Sequence, residues 1–285
     1  MTTTNKFVRE IANTLIKQIK AGTAPWQKGW DSITSIPSFP TNAITKKPYN
    51  GINALILFSV AQAKKYTDNR WVTRTQVRNK HGRIKSGEIG VKCAFFMPTK
   101  RKVYDNGQLT TKQSLIMNHF VVYNVAQTEG VDWSASVPNH DWTPIETAET
   151  IITNSKATIN HDDRNDAYYS IDKDAIFVPN RKQFKSSVEY YDTIMHELGH
   201  WTGHKSRLNR KIANCFGTEP YAKEELIAEI ASMMIAASIG LPHNTKQHAA
   251  YCKSWVKILK DDPREIFKAA SAANKIKDYL IKLSK

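Results

Sequence analysis

An α+β fold in two domains is what this sequence predicts, on three observations. Apolar residues recur at helical spacing in stretches spread along the whole chain, while two segments rich in β-branched and aromatic residues lie close together in the first half. From Glu129 to Pro144 that periodicity stops, and two prolines and several polar residues intervene. The charge balance also changes there: residues 1–130 hold 20 Lys+Arg against 6 Asp+Glu, and residues 131–285 hold 21 against 20. The expected organisation is an N-terminal α+β domain over 1–130, a linker over 131–144 and a second domain over 145–285.

Each element has a local reason. Phe7, Val8, Ile11, Leu15 and Ile19 mark an amphipathic first helix that stops near Gly22. A loop rich in Pro and aromatic residues runs from Pro25 to Pro48, and residues 51–65 read as a second helix. Thr73 caps a short third helix that Gly82 ends. Val91 to Met97 and Met117 to Val125 read as strands, with Lys100-Arg101-Lys102 as a basic turn and Asp105-Asn106-Gly107 as the turn signal. In the second half, Ile145 to Ser155 is helical and Asp174 to Pro179 is a short strand, placed at a sheet edge because of its proline. Such an edge can hold an extended peptide by adding it to the sheet. Ser186 and Glu189 form a capping box for a helix whose apolar stripe is Val188, Tyr191, Met195, Leu198 and Thr202. Two further helices follow, Pro220 to Ile239 and about Pro263 to Leu283.

Composition narrows the function classes. At 41% apolar the chain is a folded protein, and no apolar run reaches membrane-spanning length. Its N-terminus is polar, without an export signal. Cys93, Cys215 and Cys252 are far apart and in no metal-ligand spacing, so they read as free thiols in a reducing compartment, the cytoplasm. The net charge of +15 sits almost wholly in the first 130 residues, which points to a polyanionic partner for that half.

The segment His196-Glu197-Leu198-Gly199-His200 carries the chemistry. Residues i and i+4 project from one face of a helix, so His196 and His200 can offer two imidazoles to one metal, with Glu197 as general base toward a water. A catalytic zinc site takes three protein ligands and keeps one position open. His204 is a further i+4 step, but Gly203 breaks the helix before it, which leaves it a structural or supporting role, and position 206 is Ser206. The better third ligand lies in Glu224-Glu225-Leu226-Ile227-Ala228-Glu229. Glu225 is assigned as ligand and Glu229 as a carboxylate that orients a histidine, and the reverse assignment stays open. Zn2+ is the expected metal, with Mn2+ or another divalent ion as the alternative. Tyr168 or Tyr169 is a candidate oxyanion donor, with a core or rim role as the favoured alternative for either.

In the basic half, rings and cations interleave. The candidate nucleic-acid residues are Trp26, Lys28, Trp30, Tyr49, Asn53, Trp71, Arg74, Arg78, Lys80, Arg83, Lys85, Lys100, Arg101 and Lys102. Exposed rings stack on unpaired bases while Lys and Arg follow phosphates, a combination that selects single strands. Trp26 and Trp30, flanked by Pro25 and Gly29, are the rings expected to be exposed.

These features together resemble the ArdC-type plasmid antirestriction family, whose N-terminal domain is also similar to part of TraC-type plasmid primases. The likeness is carried by Pro25-Trp26 with Trp30, by Asn42, by Pro48 to Asn53, by Trp71 to Thr73 with Gln76, by Lys85 to Glu88 and by Val122 to Val125 with Gln127. In the second half it is carried by Asp174 to Pro179, His196 to Gly203, Arg207-Leu208, Tyr221-Ala222 and Glu224 to Glu229. The resemblance implies a single-stranded-DNA-binding domain joined to a zincin-like metallopeptidase domain, and protection of incoming plasmid or phage DNA from host restriction. A host protein or a restriction enzyme is then a possible substrate. The alternative is a non-enzymatic single-strand-coating protein or primase accessory whose metal site is structural or vestigial.

Overall fold

The computed structural model describes residues 3–27, 38–105, 108–133, 144–212, 217–243 and 251–284. It is a mixed helix-and-strand fold. In the first half, α1 (Thr3–Lys20), α2 (Ile52–Lys64) and α3 (Arg74–Asn79) accompany β1 (Thr41–Asn42), β2 (Arg70–Val72), β3 (Arg83–Ile84), β4 (Val91–Asp105), β5 (Gln108–Asn124) and β6 (Thr128–Glu129). The second half has α4 (Pro144–Ser155), then β7 (Thr158–Asp162), β8 (Tyr168–Ser170) and β9 (Ala175–Pro179), then α5 (Ser187–Trp201), α6 (Glu219–Ile239), α7 (Cys252–Asp261) and α8 (Glu265–Lys282).

The first sheet has the order β1-β2-β5-β4, β3 pairs with β6, and the third sheet has the order β7-β9-β8. Strands β4 and β5 form one antiparallel hairpin in register from Val91↔Val122 to Asp105↔Gln108. They are much longer than the expected Val91–Met97 and Met117–Val125, so Lys100, Arg101 and Lys102 lie within a strand rather than in a turn. The polar alternation of 98–115 hid this: it reads as loop when no buried face repeats with period two.

Strand β9 is also placed differently from expectation. It lies between β7 and β8 and is not an edge. Its Pro179 is tolerated because β8 pairs only as far as Tyr168↔Phe177. The proline nitrogen faces the side where that partner has already ended, while Asn180 N–H still donates to Asp162 O at 3.0 Å on the β7 side. The free edges are β7 and β8. Helix α7 was not expected from sequence at all.

Thr73 caps α3 as anticipated, accepting from Gln76 N–H while the Gln76 side chain accepts from Thr73 N–H. Gly240, at φ 73°, ends α6 in the left-handed conformation that glycine adopts without strain. No helix of the described residues is long and apolar enough to cross a membrane.

One buried cluster joins the two ends of the chain. Phe7, Leu15 and Ile19 of α1 and Leu55 and Phe58 of α2 pack in the same core as Ile194 and Leu198 of α5, Met233 of α6, Trp255 of α7 and Ile276 of α8. Each such side chain removed from water contributes about 1.5–3 kcal/mol. Polar contacts follow the same seam: Gly51 N–H donates to Asn274 Oδ1 at 3.1 Å, and Gln27 Nε2 to Cys252 Sγ at 3.0 Å.

Candidate metal centre

Helix α5 begins at Ser186, whose hydroxyl accepts from Glu189 N–H at 3.2 Å. Only half of the expected capping box forms, because the Glu189 carboxylate accepts from Lys185 N–H instead. Tyr191, Ile194, Met195, Leu198 and Trp201 bury the core-facing stripe. That leaves His196 and His200 on another face, with their Nε2 atoms 3.1 Å apart. Tetrahedral zinc with nitrogen ligands at about 2.0–2.1 Å sets them roughly 3.3 Å apart.

Helix α6 faces them. Thr218 caps it and Pro220 occupies its first turn. It is buried along most of its length, yet it carries Glu224, Glu225 and Glu229, which are 4%, 7% and 3% exposed. Carboxylates so deep are costly unless a cation or donor meets each one, and each meets an imidazole. Glu225 stands between the two rings, 3.6 Å from His196 Nε2 and 3.4 Å from His200 Nε2. Glu229 Oε1 lies 3.7 Å from His196 Nδ1, and Glu224 Oε1 lies 3.3 Å from His200 Nδ1. Both rings therefore present Nε2 inward and Nδ1 to a carboxylate, the arrangement that fixes the tautomer of a metal-bound histidine.

Among the described residues, His196, His200 and Glu225 form a group whose ligand atoms all lie within 4.8 Å of one another. Two imidazole nitrogens and one carboxylate suit a divalent zinc-type ion with an open fourth position. The orphaned Oε2 of Glu197, buried without a hydrogen-bond partner, supports the same fit, because a buried carboxylate oxygen is left bare only where a ligand or water completes it.

The electrostatics express this crowding. Burial opposes charge on His196, but Glu229 and Glu225 outweigh it, and the imidazole is pushed up to about 9. His200 is likewise raised, burial being overcome by Glu224 and Glu225. Glu225 and Glu224 are held below the usual carboxylate range against burial, Glu225 by both histidines and Glu224 by His200 and Arg210. Burial raises Glu197 above the usual carboxylate range.

Glu224 is the residue the sequence reading missed. Arg210 reaches it at 2.7 Å and also donates to Thr202 Oγ1 at 2.7 Å and Gly199 O at 2.8 Å, tying α6 to the end of α5. Gly203 permits that closure, since a Cβ there would meet Ile212 Cδ1 at 2.4 Å. His204 lies outside the centre, bonded to Ser206 and 3.7 Å from Asp174. The hydroxyl of Tyr169 is occupied by Asp174 and Arg207, although its backbone N–H donates to Glu197. Tyr168 stacks on Phe177. The phenol that does reach the centre is Tyr221, one helical turn before Glu225 and hydrogen-bonded to it and to Tyr251.

The candidate nucleic-acid residues separate into groups. Trp26 and Trp71 are wholly buried, contrary to the exposure expected of Trp26 in its loop. Trp26 packs edge-on against Trp255, and Trp71 donates to Asn69 Oδ1 at 2.7 Å, so neither offers a ring face to a base. Flanking Pro25 did not keep Trp26 at the surface because α7, unforeseen, supplied an apolar seat. Asn53 is spent on α2–β4 docking, bonding both N–H and C=O of Ala94 at 2.7 Å. Tyr49 is half-buried against Asn42. Arg74 and Arg78 on α3, Lys80 at its C-terminal cap, Arg83 on β3 and Lys85 just after it are exposed, Arg83 in an ion pair with Glu129, and Lys100 and Lys102 are exposed on β4. Arg101 lies in β4; its side chain, with Lys28 and Trp30, falls outside the described residues.

Comparison with known proteins decides the family. Residues 5–125 match the family model for the N-terminal domain of anti-restriction factor ArdC, and residues 146–272 match the zincin-like metallopeptidase family model. The whole fold superposes on the metal-free crystal structure of the antirestriction ArdC protein from plasmid R388, with a TM-score of 0.81 and 32% identity, covering 97% of both chains. The chain belongs to the ArdC antirestriction family. The Mn(II)-bound structure of R388 ArdC matches with a TM-score of 0.78 at 31% identity. Two Escherichia coli proteins named DNA primase TraC are 41% and 40% identical over 96% of this chain. This ArdC-family chain spans only 20% and 27% of their lengths. An uncharacterised protein of Sinorhizobium fredii, y4eC, is 30% identical over 98% of this chain and 92% of its own length.

Proposed function

We propose that the chain binds single-stranded DNA through its basic first 130 residues, protects incoming plasmid or phage DNA from host restriction, and carries a zinc-dependent peptidase centre in residues 145–285. Residues 131–144 link the two activities, and the protein works in the cytoplasm. His196, His200 and Glu225 would hold the metal, with Glu229 and Glu224 orienting the two rings. Zinc is favoured by the two-nitrogen, one-carboxylate set; Mn2+ is the alternative, the ion bound in one R388 ArdC structure. When bound, such an ion supplies Lewis acidity that activates water and polarises a peptide carbonyl.

The protein's own part is to hold and move a proton. Glu197 Oε2 is buried, unpartnered and raised by burial, so it can accept a proton from water and deliver it to a departing amine nitrogen. The free edge of β8 lies next to α5, bonded through Tyr169 to Glu197, and is where an extended peptide would add to the sheet. A host protein or a restriction enzyme is the expected substrate. The observation that carries this reading is the placement of three carboxylates of α6 around two imidazoles, beside a fourth carboxylate whose Oε2 is buried without a partner.

The test is a paired assay on wild type and Glu197→Gln, following protection of DNA from a restriction endonuclease together with single-strand binding and metal content. Loss of protection with binding and metal retained supports hydrolysis as part of the function. Protection that survives the substitution overturns the enzymatic reading and leaves DNA coating as the activity.

A further inference from the structure

Strands β4 and β5 outrun the sheet that they start from. Cys93, Ala94 and Val122 are buried, but from the pair Phe95↔Asn118 to the pair Tyr104↔Leu109 no described side chain is. At about 3.4 Å per residue this free ribbon extends roughly 34 Å. A two-stranded ribbon without a covering layer is only marginally stable in water, so this one is built to meet something.

Its chemistry says what. From Val91 to Asn124 the hairpin holds Lys92, Lys100, Arg101, Lys102 and Lys112 against the single acid Asp105. Alternate residues of a strand share a face, and directly paired residues share it too. One face therefore carries Phe96, Lys100, Lys102 and Tyr104 from β4, with Met117, partly buried against the core, opposite Phe96, Leu115 opposite Pro98 and Leu109 opposite Tyr104. Phe96 is 50% exposed, Tyr104 79% and Leu115 67%, and both lysines are exposed. Two rings about 27 Å apart with two ammonium groups between them match what an unpaired polynucleotide offers, base faces and phosphates in series. A duplex would hide the base faces. A protein-binding face would be depleted of lysine at its centre, and a second copy of the ribbon would meet its own positive charge.

We propose that this face of the β4–β5 ribbon is a stacking track for single-stranded nucleic acid, with Phe96 and Tyr104 as base platforms and Lys100 and Lys102 as phosphate contacts. It rests on the single-strand-binding reading and relocates the rings of that reading, since Trp26 and Trp71 are buried.

The experiment measures binding of a fluorescent oligothymidylate by anisotropy, on the full chain, for wild type, Phe96→Ala, Tyr104→Ala, Lys100→Ala/Lys102→Ala and, at the C-terminal end of α3, Arg78→Ala/Lys80→Ala. All substitutions are at exposed positions, and thermal melts confirm folding. Each ring substitution is expected to weaken binding about tenfold while leaving the salt dependence unchanged. The double lysine variant is expected to flatten the slope of log K against log salt by about 1.4, at roughly 0.7 per lost phosphate contact on a single strand. If wild type binds and the ring variants bind as tightly, the track is overturned while the single-strand reading stands. If wild type does not bind oligothymidylate, that reading fails and the track falls with it. Equal losses on a blunt duplex would show charge contact alone and overturn the stacking role.

Discussion

Glu224 and Glu225 are neighbours in sequence, yet they meet His200 at opposite nitrogens: Glu224 Oε1 is 3.3 Å from Nδ1, and Glu225 Oε1 is 3.4 Å from Nε2. One helical step thus separates the carboxylate that would bind a metal from the carboxylate that sets the ring's tautomer. Glu224→Gln is expected to lower zinc and manganese affinity by about 10–100-fold, as loss of a histidine-orienting carboxylate does. Chelator competition on refolded apo-protein measures it. Unchanged affinity would show that Arg210, not His200, is what Glu224 is there to hold.

Tyr221→Phe removes a hydroxyl hydrogen-bonded to Glu225 while sparing the ring that packs near Tyr251. Metal affinity is expected to fall about tenfold, with the melting temperature of the metal-free protein unchanged. In a Glu225→Gln background the same substitution should do nothing further. An undiminished effect there would place the hydroxyl's role elsewhere.

His243 links the two ends of the chain through its ring. Nδ1 lies 2.7 Å from Asp192 Oδ1 and Nε2 lies 3.2 Å from the carbonyl of Trp26, two acceptors that only the doubly protonated ring can satisfy at once. Burial opposes that charge, but Asp192 outweighs it, and the pKa is raised. A raised folded-state pKa gives stability that is fully present below the unfolded value of about 6.5 and is lost as pH rises through the folded value. The difference in unfolding free energy between wild type and His243→Gln is therefore expected to be largest in mildly acidic solution, about 1–3 kcal/mol, and to shrink in alkaline solution. Urea unfolding at several pH values tests this, and a difference that grows with pH would refute the bridge.

Cys93 lies under α2 in a small cluster with Leu57, Trp71 and Val122, and burial pushes its thiol up to about 12. It is expected to resist iodoacetamide in the native protein and to react only when urea unfolds the chain. Peptide mapping of the alkylated protein distinguishes it from Cys215 and Cys252.

Much of the centre was legible because its signals are local. His196, Glu197 and His200 lie within a single helical turn and a residue, and Glu225 and Glu229 repeat the same i, i+4 relation on an apolar helix. Glu224 was not legible: its function depends on Arg210 reaching across from the turn after α5, a tertiary fact. The same limit applies to rings. Trp26 beside Pro25 looks like a loop residue until α7 arrives to cover it, and the ribbon's Phe96 and Tyr104 look like ordinary strand residues until their side chains prove exposed. Sequence periodicity reports how one element alternates; it is silent on what comes to lie against it.

The shared core cluster that gathers Phe7, Leu15 and Phe58 with Met233, Trp255 and Ile276 has an evolutionary consequence. A gene cut near codon 138 would divide the basic residues cleanly from the metal ligands, but each fragment would carry a raw apolar face that only the other can clothe. The two activities proposed for this chain are thus poor candidates for shuffling as separate modules. A lineage that keeps the helices of one must keep those of the other, so even a copy whose metal chemistry had lapsed would be under selection to preserve α5 to α8 as the bed on which α1 and α2 lie.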